Sequence, residues 1–356
     1  MSLEFDHITL GQRVRFGTGE AAANLAAEVD QRGARSVMVI AEAREAELAR
    51  RVTADIDVAL HHSDVAMHVP VETADRARAA ARDNGIDLLV SIGGGSTTGL
   101  AKAIALTTGL PIVAVPTTYA GSEATNVWGL TEAARKTTGV DDRVLPATVI
   151  YDAELTYSLP ADLSVASGLN GLAHCVDSLW APRADPINAA LATEGMRTLA
   201  GGLPKVVADP SGAEGREQAL YGAYLSAVSF ASAGAAMHHK ICHVLGGTYD
   251  LPHAQTHAIV LPHVLAHNAP AAPEAAARIA GALGTGDAVS GLVQLRDRLR
   301  APTALREIGF AEENIGEAAE LSVAAIPSSN PCPVTTDDIR ALLGNAWAGT
   351  APEVSR

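Results

Sequence analysis

Short unbroken apolar runs alternate with charged, alanine-rich stretches up to about Leu159. Ser36–Ala41 (SVMVIA) reads as a strand and Arg44–Val52 as a helix after it. Ile56–Leu60 is the next strand candidate, and the helical composition of Glu72–Asn84 stops at Gly85. Asp87–Ile92 (DLLVSI) reads as a buried strand, Ser96–Thr107 as a helix and Pro111–Val115 as a further strand. Strands spaced by helical segments of roughly ten to fifteen residues imply crossover units and a parallel sheet. Ahead of them, Phe5–Leu10 and Val14–Phe16 suggest a small hairpin turning near Gly11.

Beyond Leu159 the strand signals vanish. Leu163–Trp180, Pro186–Val207, Gly215–Ala233, His253–Asn268 and Pro273–Leu283 all read as helices, as do Asp287–Arg300, Ala311–Ala325 and Thr335–Trp347. The shift near Pro160 predicts two domains, an α/β dinucleotide-binding domain over residues 1–159 and an all-helical catalytic domain over 160–356. Two domains also suit the length, since single cores seldom grow beyond roughly 250 to 300 residues.

Composition narrows the function. A hydrophobic share of 48% with 19% charged residues is that of an ordinary globular protein. The net charge of −14 argues against nucleic acid or an anionic membrane as partner, and an anionic substrate would need local cations. Cys175, Cys242 and Cys332 are odd in number and widely spaced, and read as core thiols. No signal peptide opens the chain and no apolar run is long enough to span a bilayer, so a cytoplasmic enzyme is expected.

Candidate chemistry concentrates in three places. Seven of the twelve histidines fall between His238 and His267, in MHHKICHVLGGTYDLPHAQTHAIVLPHVLAH. His239 and His243 are four apart and share a face on a helix; His253 and His257 repeat that spacing after a Gly-Gly and Pro break, as do His263 and His267. Such density is a metal or catalytic cue, although each histidine alone is more often structural. Secondly, Gly93-Gly94-Gly95-Ser96 follows a strand and opens a helix, where glycines and free N–H groups suit a phosphate. With Ser96 as N-cap the same residues would form a plain turn. Thirdly, a neighbouring strand ends in Pro116-Thr117-Thr118-Tyr119-Ala120-Gly121-Ser122-Glu123, and two such loops at strand ends form a crevice for a dinucleotide. Glu42, ending the first strand, could accept from an adenosine ribose. His61 and His62 carry no readable role.

Together these motifs resemble the iron-containing alcohol dehydrogenase family over nearly the whole chain. The resemblance implies the dehydroquinate synthase-like architecture, with an N-terminal nucleotide domain and a helical C-terminal one. In that family an aspartate and three histidines hold a metal. The matching positions here are Asn170, His174, His239 and His253, so an amide replaces the carboxylate and the set reads as vestigial. His243 matches a histidine beside the nicotinamide, and Lys136 a lysine near the cofactor ribose. A branch of the family with the short PTTYAGSE loop and an asparagine at this position is similar. It implies reduction of a carbon–carbon double bond in a small dianionic oxo acid during aromatic breakdown, by NADH or NADPH, in a homodimer without metal. His174, His239 and His253 are then expected as hydrogen-bond donors to the ketone or a carboxylate, His243 as the acid, and Lys240 either as a counter-charge or as a solvated lysine. Gly94, Gly95, Ser96, Thr117, Thr118 and Ser122 would hold the cofactor. His257, His263 and His267 would be structural. The rival expectation is a metal-dependent alcohol or polyol dehydrogenase of the same family, with Asn170 as a tuned ligand.

Overall fold

A computed structural model of the chain describes residues 4–132 and 135–352, with only the backbone of Arg135 and Lys136. It divides into two compact units, Leu10–Leu159, and Pro160–Arg356 together with Met1–Thr9. In chain order the first unit runs β1 (Arg13–Phe16), α1 (Ala21–Arg32), β2 (Val37–Ile40), α2 (Ala46–Val52), β3 (Val58–His62), α3 (Val71–Asp83), β4 (Leu88–Gly93), α4 (Gly95–Thr108), β5 (Ile112–Pro116), β6 (Val127–Glu132), β7 (Arg135–Val140) and β8 (Thr148–Tyr151).

Six strands form a sheet in the order β1-β8-β5-β4-β2-β3, and every pair in it is parallel. Both faces are covered, which is why its strands are unbroken apolar runs. Val37, Val39, Leu88 and Val90 pack with Ala21 and Leu25 of α1 and Ala49 and Val52 of α2. Met38, Ile40 and Leu89 point the other way, against Ala74 and Ala77 of α3 and Leu100 and Ile104 of α4. β6 and β7 form a separate antiparallel ribbon.

The N-terminal hairpin is not formed. Residues 5–10 are not a strand, and β1 pairs in parallel with β8, Arg13 opposite Thr148. Residues 4–9 belong instead with the helical unit, where His7 Nδ1 lies 2.8 Å from Asp185 Oδ2. That contact outweighs the weak alternation of a short polar run. The α1 and β8 segments carry no clear signal: five of the twelve residues of α1 are alanine, and β8 is four residues long.

The second unit runs α5 (Ala161–Ser178), α6 (Pro186–Ala208), α7 (Ala213–Ala233), α8 (Met237–Tyr249), α9 (His253–Asn268), α10 (Pro273–Leu283), α11 (Ala288–Arg298), α12 (Ile315–Ala325) and α13 (Thr336–Ala348). α5 is its central helix, buried almost throughout from Ser164 to Ser178. Glycine makes that close packing possible: a Cβ on Gly168 would lie 2.4 Å from Leu203 Cδ2, and one on Gly195 would lie 2.9 Å from Cys175 Sγ. Gly246 and Gly247 do not break the chain as expected. α8 continues through them to Tyr249 and ends at Asp250, which takes a left-handed conformation at φ 54° before Pro252. The apolar face of Met237, Ile241 and Leu245 holds α8 against α9, α12 and α13, and that burial outweighs the glycines' roughly 1 kcal/mol propensity cost each.

Candidate active site

In the α/β unit the site is built from strand ends. The chain leaves β2 toward β3 but leaves β4 toward β5 in the opposite direction, so the C-terminal ends of β2 and β4 flank a reversal of strand order. Such a reversal is the usual ligand crevice of an open parallel sheet. Gly93 closes β4 at φ 149°, where a Cβ would lie 2.6 Å from both Glu45 Oε2 and Thr97 Oγ1. Gly94, not Ser96, is the N-cap of α4, and no side chain caps it. The first N–H groups of the helix are therefore left for an anion, with the positive end of the helix dipole behind them. Thr117 N–H donates to Gly93 O at 3.1 Å, and a Cβ on Gly94 would meet Thr118 Cγ2 at 3.2 Å, so the two loops lie side by side.

Glu45 and Lys102 of this crevice carry no sequence signal, and Glu123 carries one only as the end of the second loop's motif. Thr117 Oγ1 donates to Glu45 Oε1 at 2.9 Å, while Glu45 Oε2 is buried without a partner among the described residues. Burial raises the Glu45 carboxyl pKa, opposed by the Thr117 hydroxyl and reinforced by Glu42. Lys102, fully buried on α4, donates from Nζ to Ser122 O at 2.6 Å, Thr125 O at 2.8 Å and Val127 O at 2.8 Å. It pins the second loop, and burial pushes its ammonium pKa down to about 7. Glu123 beside it accepts from Tyr151 Oη at 2.8 Å, and burial raises its pKa. Glu42 follows β2 as expected, but its carboxylate is paired with Arg44 Nε at 2.8 Å. The Lys136 side chain lies outside the described residues.

In the helical unit the site is made of side chains from three helices. Asn170, His174 and Asp177 share one face of α5, His239 and His243 one face of α8, and His253 and His257 one face of α9. His174 stacks on His239 with ring centroids 4.9 Å apart, and Phe230 lies against both at 4.6 and 4.3 Å. His243 is 6.0 Å from His239 and 6.4 Å from His253 between ring centroids. His174 and His239 are buried, whereas His243 and His253 are exposed within this unit. The expected set is therefore a buried floor and an exposed rim. Lys240 is half-buried on α8, and its charge is among those that lower the His239 pKa.

Two further residues join the cluster. His257, expected to be structural, lies within it: its Nδ1 is 2.9 Å from His238 Nε2, and its ring is 4.4 Å from that of His253. His263 and His267 lie farther along α9, and burial lowers the His263 pKa to about 4, with the Arg296 charge adding to the effect. Secondly, the cluster holds a carboxylate that spacing did not reveal. Asp177 Oδ2 is 2.7 Å from His239 Nδ1. Burial raises its carboxyl pKa, opposed by the His238 charge and by N–H groups of His239, Trp180 and Ala236.

A metal ion of the kind the family resemblance implies finds compatible atoms here. Asn170 Oδ1, His174 Nδ1 and His239 Nε2 are buried without partners among the described residues, and each can offer a lone pair. Burial first, then nearby histidine charge, lowers the His174 pKa to about 3, which leaves it neutral as a ligand must be. His238, His239 and His257 also converge, with one ligand atom from each within 4.8 Å of the others. The set contains no carboxylate ligand, which weakens its hold on a divalent cation.

Sequence comparison places this geometry among known proteins. Residues 11–153 match the pattern described as iron-containing alcohol dehydrogenase, and residues 164–347 match the C-terminal domain of the same family. A maleylacetate reductase from Sphingobium indicum is 47% identical, covering 98% of this chain and 99% of that protein. Among solved structures, an iron-containing alcohol dehydrogenase from Corynebacterium glutamicum superposes with a TM-score of 0.96 at 63% identity, covering 98% of each chain. A maleylacetate reductase from Rhizobium sp. does so with a TM-score of 0.94 at 43% identity, covering 98% of this chain and 99% of that one. Among the described residues no helix is long and apolar enough to cross a membrane.

Proposed function

The chain belongs to the iron-containing alcohol dehydrogenase family and is an oxidoreductase; from that premise we propose that it reduces the carbon–carbon double bond of maleylacetate with NADH or NADPH, giving 3-oxoadipate. The observation that carries this reading is the 47% identity to a maleylacetate reductase over the full length of both chains. Asn170, at a position where a carboxylate would favour a resident metal, supports it.

Maleylacetate is a dianion whose alkene is conjugated to a ketone. Hydride from the nicotinamide adds to the alkene carbon remote from the ketone, and the electron pair of the double bond moves into an enolate. A proton is then taken up at the carbon next to the ketone. NADH and one proton are consumed for each 3-oxoadipate formed. In this reading the uncapped N-terminus of α4, with Gly94, Gly95 and Ser96, takes the pyrophosphate, and Thr117, Thr118 and Ser122 line the same crevice. The Glu42–Arg44 pair offers an acceptor to the ribose hydroxyls of NADH and a cation to the 2′-phosphate of NADPH. Lys136 is assigned to the cofactor ribose. His243 and His253, on the rim, supply the proton and a hydrogen bond to the developing enolate oxygen, while Lys240 offsets substrate charge. The product, the cofactor and these roles are all part of the proposal.

A divalent cation, if bound, would be held by His174, His239, His253 and Asn170 and would polarise the ketone oxygen. We propose that turnover does not require it. The same reading includes a cytoplasmic homodimer with no nucleic-acid or membrane partner, to which the net charge of −14 is unsuited. The test is NADH oxidation with maleylacetate before and after exhaustive chelation, with elemental analysis of the protein. Full activity in the stripped enzyme is expected, and Asn170→Asp should bind zinc more tightly than the parent. One equivalent of metal whose removal abolishes turnover would favour the metal-dependent dehydrogenase instead, a reading that the free lone pairs of Asn170, His174 and His239 support.

A further inference from the structure

Asp177 is wholly buried, and among the described residues its carboxylate meets only nitrogen. Its Oδ2 accepts the backbone N–H of His239 at 3.0 Å and of Ala236 at 3.2 Å; its Oδ1 accepts the N–H of His238 and the indole N–H of Trp180, each at 3.4 Å. It therefore takes the place of an N-cap for α8, whose own N-cap Ala236 has no side chain to offer. The remaining contact is His239 Nδ1, 2.7 Å from Oδ2. A hydrogen carried on Oδ2 would point into two N–H groups already directed at that oxygen, so the shared hydrogen belongs to Nδ1.

We propose that Asp177 is a positioning residue that holds His239 as the Nδ1–H tautomer, so that Nε2 presents a lone pair to the site. Nε2 is buried and has no partner among the described residues, and the rings of Phe230 and His174 lie against the imidazole at 4.3 and 4.9 Å, limiting its rotation. This reverses the role expected of His239. A ketone oxygen and a carboxylate are acceptors, and a lone pair cannot hydrogen-bond to them. Hydrogen-bond donation to the substrate then falls to the rim histidines, and whatever meets Nε2 carries a hydrogen or a positive charge. Asn170 Oδ1, one helical turn from His174 on α5, is a second buried acceptor without a partner among the described residues. Outer carboxylates commonly fix imidazole tautomers in this way, both behind metals and behind general bases.

The kinetic part of the test rests on the proposed reductase activity; the spectroscopic part does not. In protein labelled with ¹⁵N-histidine, with the His239 signals identified by their loss in His239→Ala, long-range proton–nitrogen correlations should show hydrogen on Nδ1 and none on Nε2. Asp177→Ala, which removes the acceptor, should let it move to Nε2 and lower kcat with maleylacetate roughly a hundredfold, leaving KM for NADH unchanged. Asp177→Glu should restore the parent tautomer and part of kcat. Chelator competition should show zinc affinity falling by roughly ten- to a hundredfold in Asp177→Ala. An Nε2–H tautomer in the parent overturns the proposal, even if Asp177→Ala fails to fold. So does an Asp177→Ala enzyme with parental kcat and tautomer. Should maleylacetate not be turned over while the parent spectrum shows Nδ1–H, the reductase reading fails and the tautomer assignment stands.

Discussion

In the α/β unit the groups awaiting a ligand are main-chain N–H groups at an uncapped helix end and the bare surface of Gly94, with Thr117 and Thr118 on the adjoining loop. In the helical unit they are side-chain atoms of α5, α8 and α9, several of them buried without partners. The first arrangement needs little more than a few consecutive residues after a strand. The second needs three helices to bring together groups far apart in sequence, such as Asp177 and His239, 62 positions apart. The two should therefore respond differently to pH and to substitution.

Acid should separate them most. The His263 pKa falls from 6.5 to about 4 on folding, so between those values the unfolded chain holds a proton that the folded chain does not. Stability is full above about pH 6.5 and declines as pH falls toward 4, by roughly 3 kcal/mol from this residue alone. His174, His238, His239 and His257 are lowered in the same unit and add to the loss, while Asp177, raised by burial, offsets part of it. In the α/β unit the raised Glu45 and Glu123 gain stability on acidification, against the loss at His62, the one histidine of that unit lowered by burial among the described residues. Hydrogen exchange at pH 7 and pH 5 should show the helical unit losing protection first. Equal loss in both units would sink this contrast.

Substitutions at the two sites come next. His243→Ala should lower kcat by roughly a hundredfold with NADH affinity unchanged; retention of full turnover would return His243 to a structural role. Gly94→Val should do the reverse. Its backbone at φ −84° accepts a side chain, so the fold persists while the added atoms crowd Thr118 and the cofactor's approach. A rise of roughly tenfold in the NADH dissociation constant, equivalent to about 1.4 kcal/mol, is expected from calorimetry. An unchanged constant in a folded variant removes this loop from the cofactor site.

The smallest effects contrast two glycines with open space around them. Gly33 ends α1 at φ 63°, so Gly33→Ala should cost about 1 kcal/mol in thermal unfolding. Gly247 lies within α8, where Gly247→Ala should add up to about 1 kcal/mol. Shifts of the same sign would mean that one of these backbone assignments is wrong.

By itself the sequence determined what local rules govern. Unbroken runs such as DLLVSI became strands covered on both faces, and the Gly-Gly-Gly-Ser stretch that closes β4 became an uncapped helix start. The spacing of His239 and His243 placed them on one helix face. Tertiary structure decided the rest. It drew residues 4–9 away from the sheet to His7's contact with Asp185, and carried α8 through Gly246 and Gly247. It joined His257 to His238, set Lys102 beneath the second loop, and put Asp177 behind His239. Each of these depends on a partner distant in the chain or on burial, and the energy of burying a polar group is fixed by whatever packs against it. Neighbours in sequence carry no record of that partner.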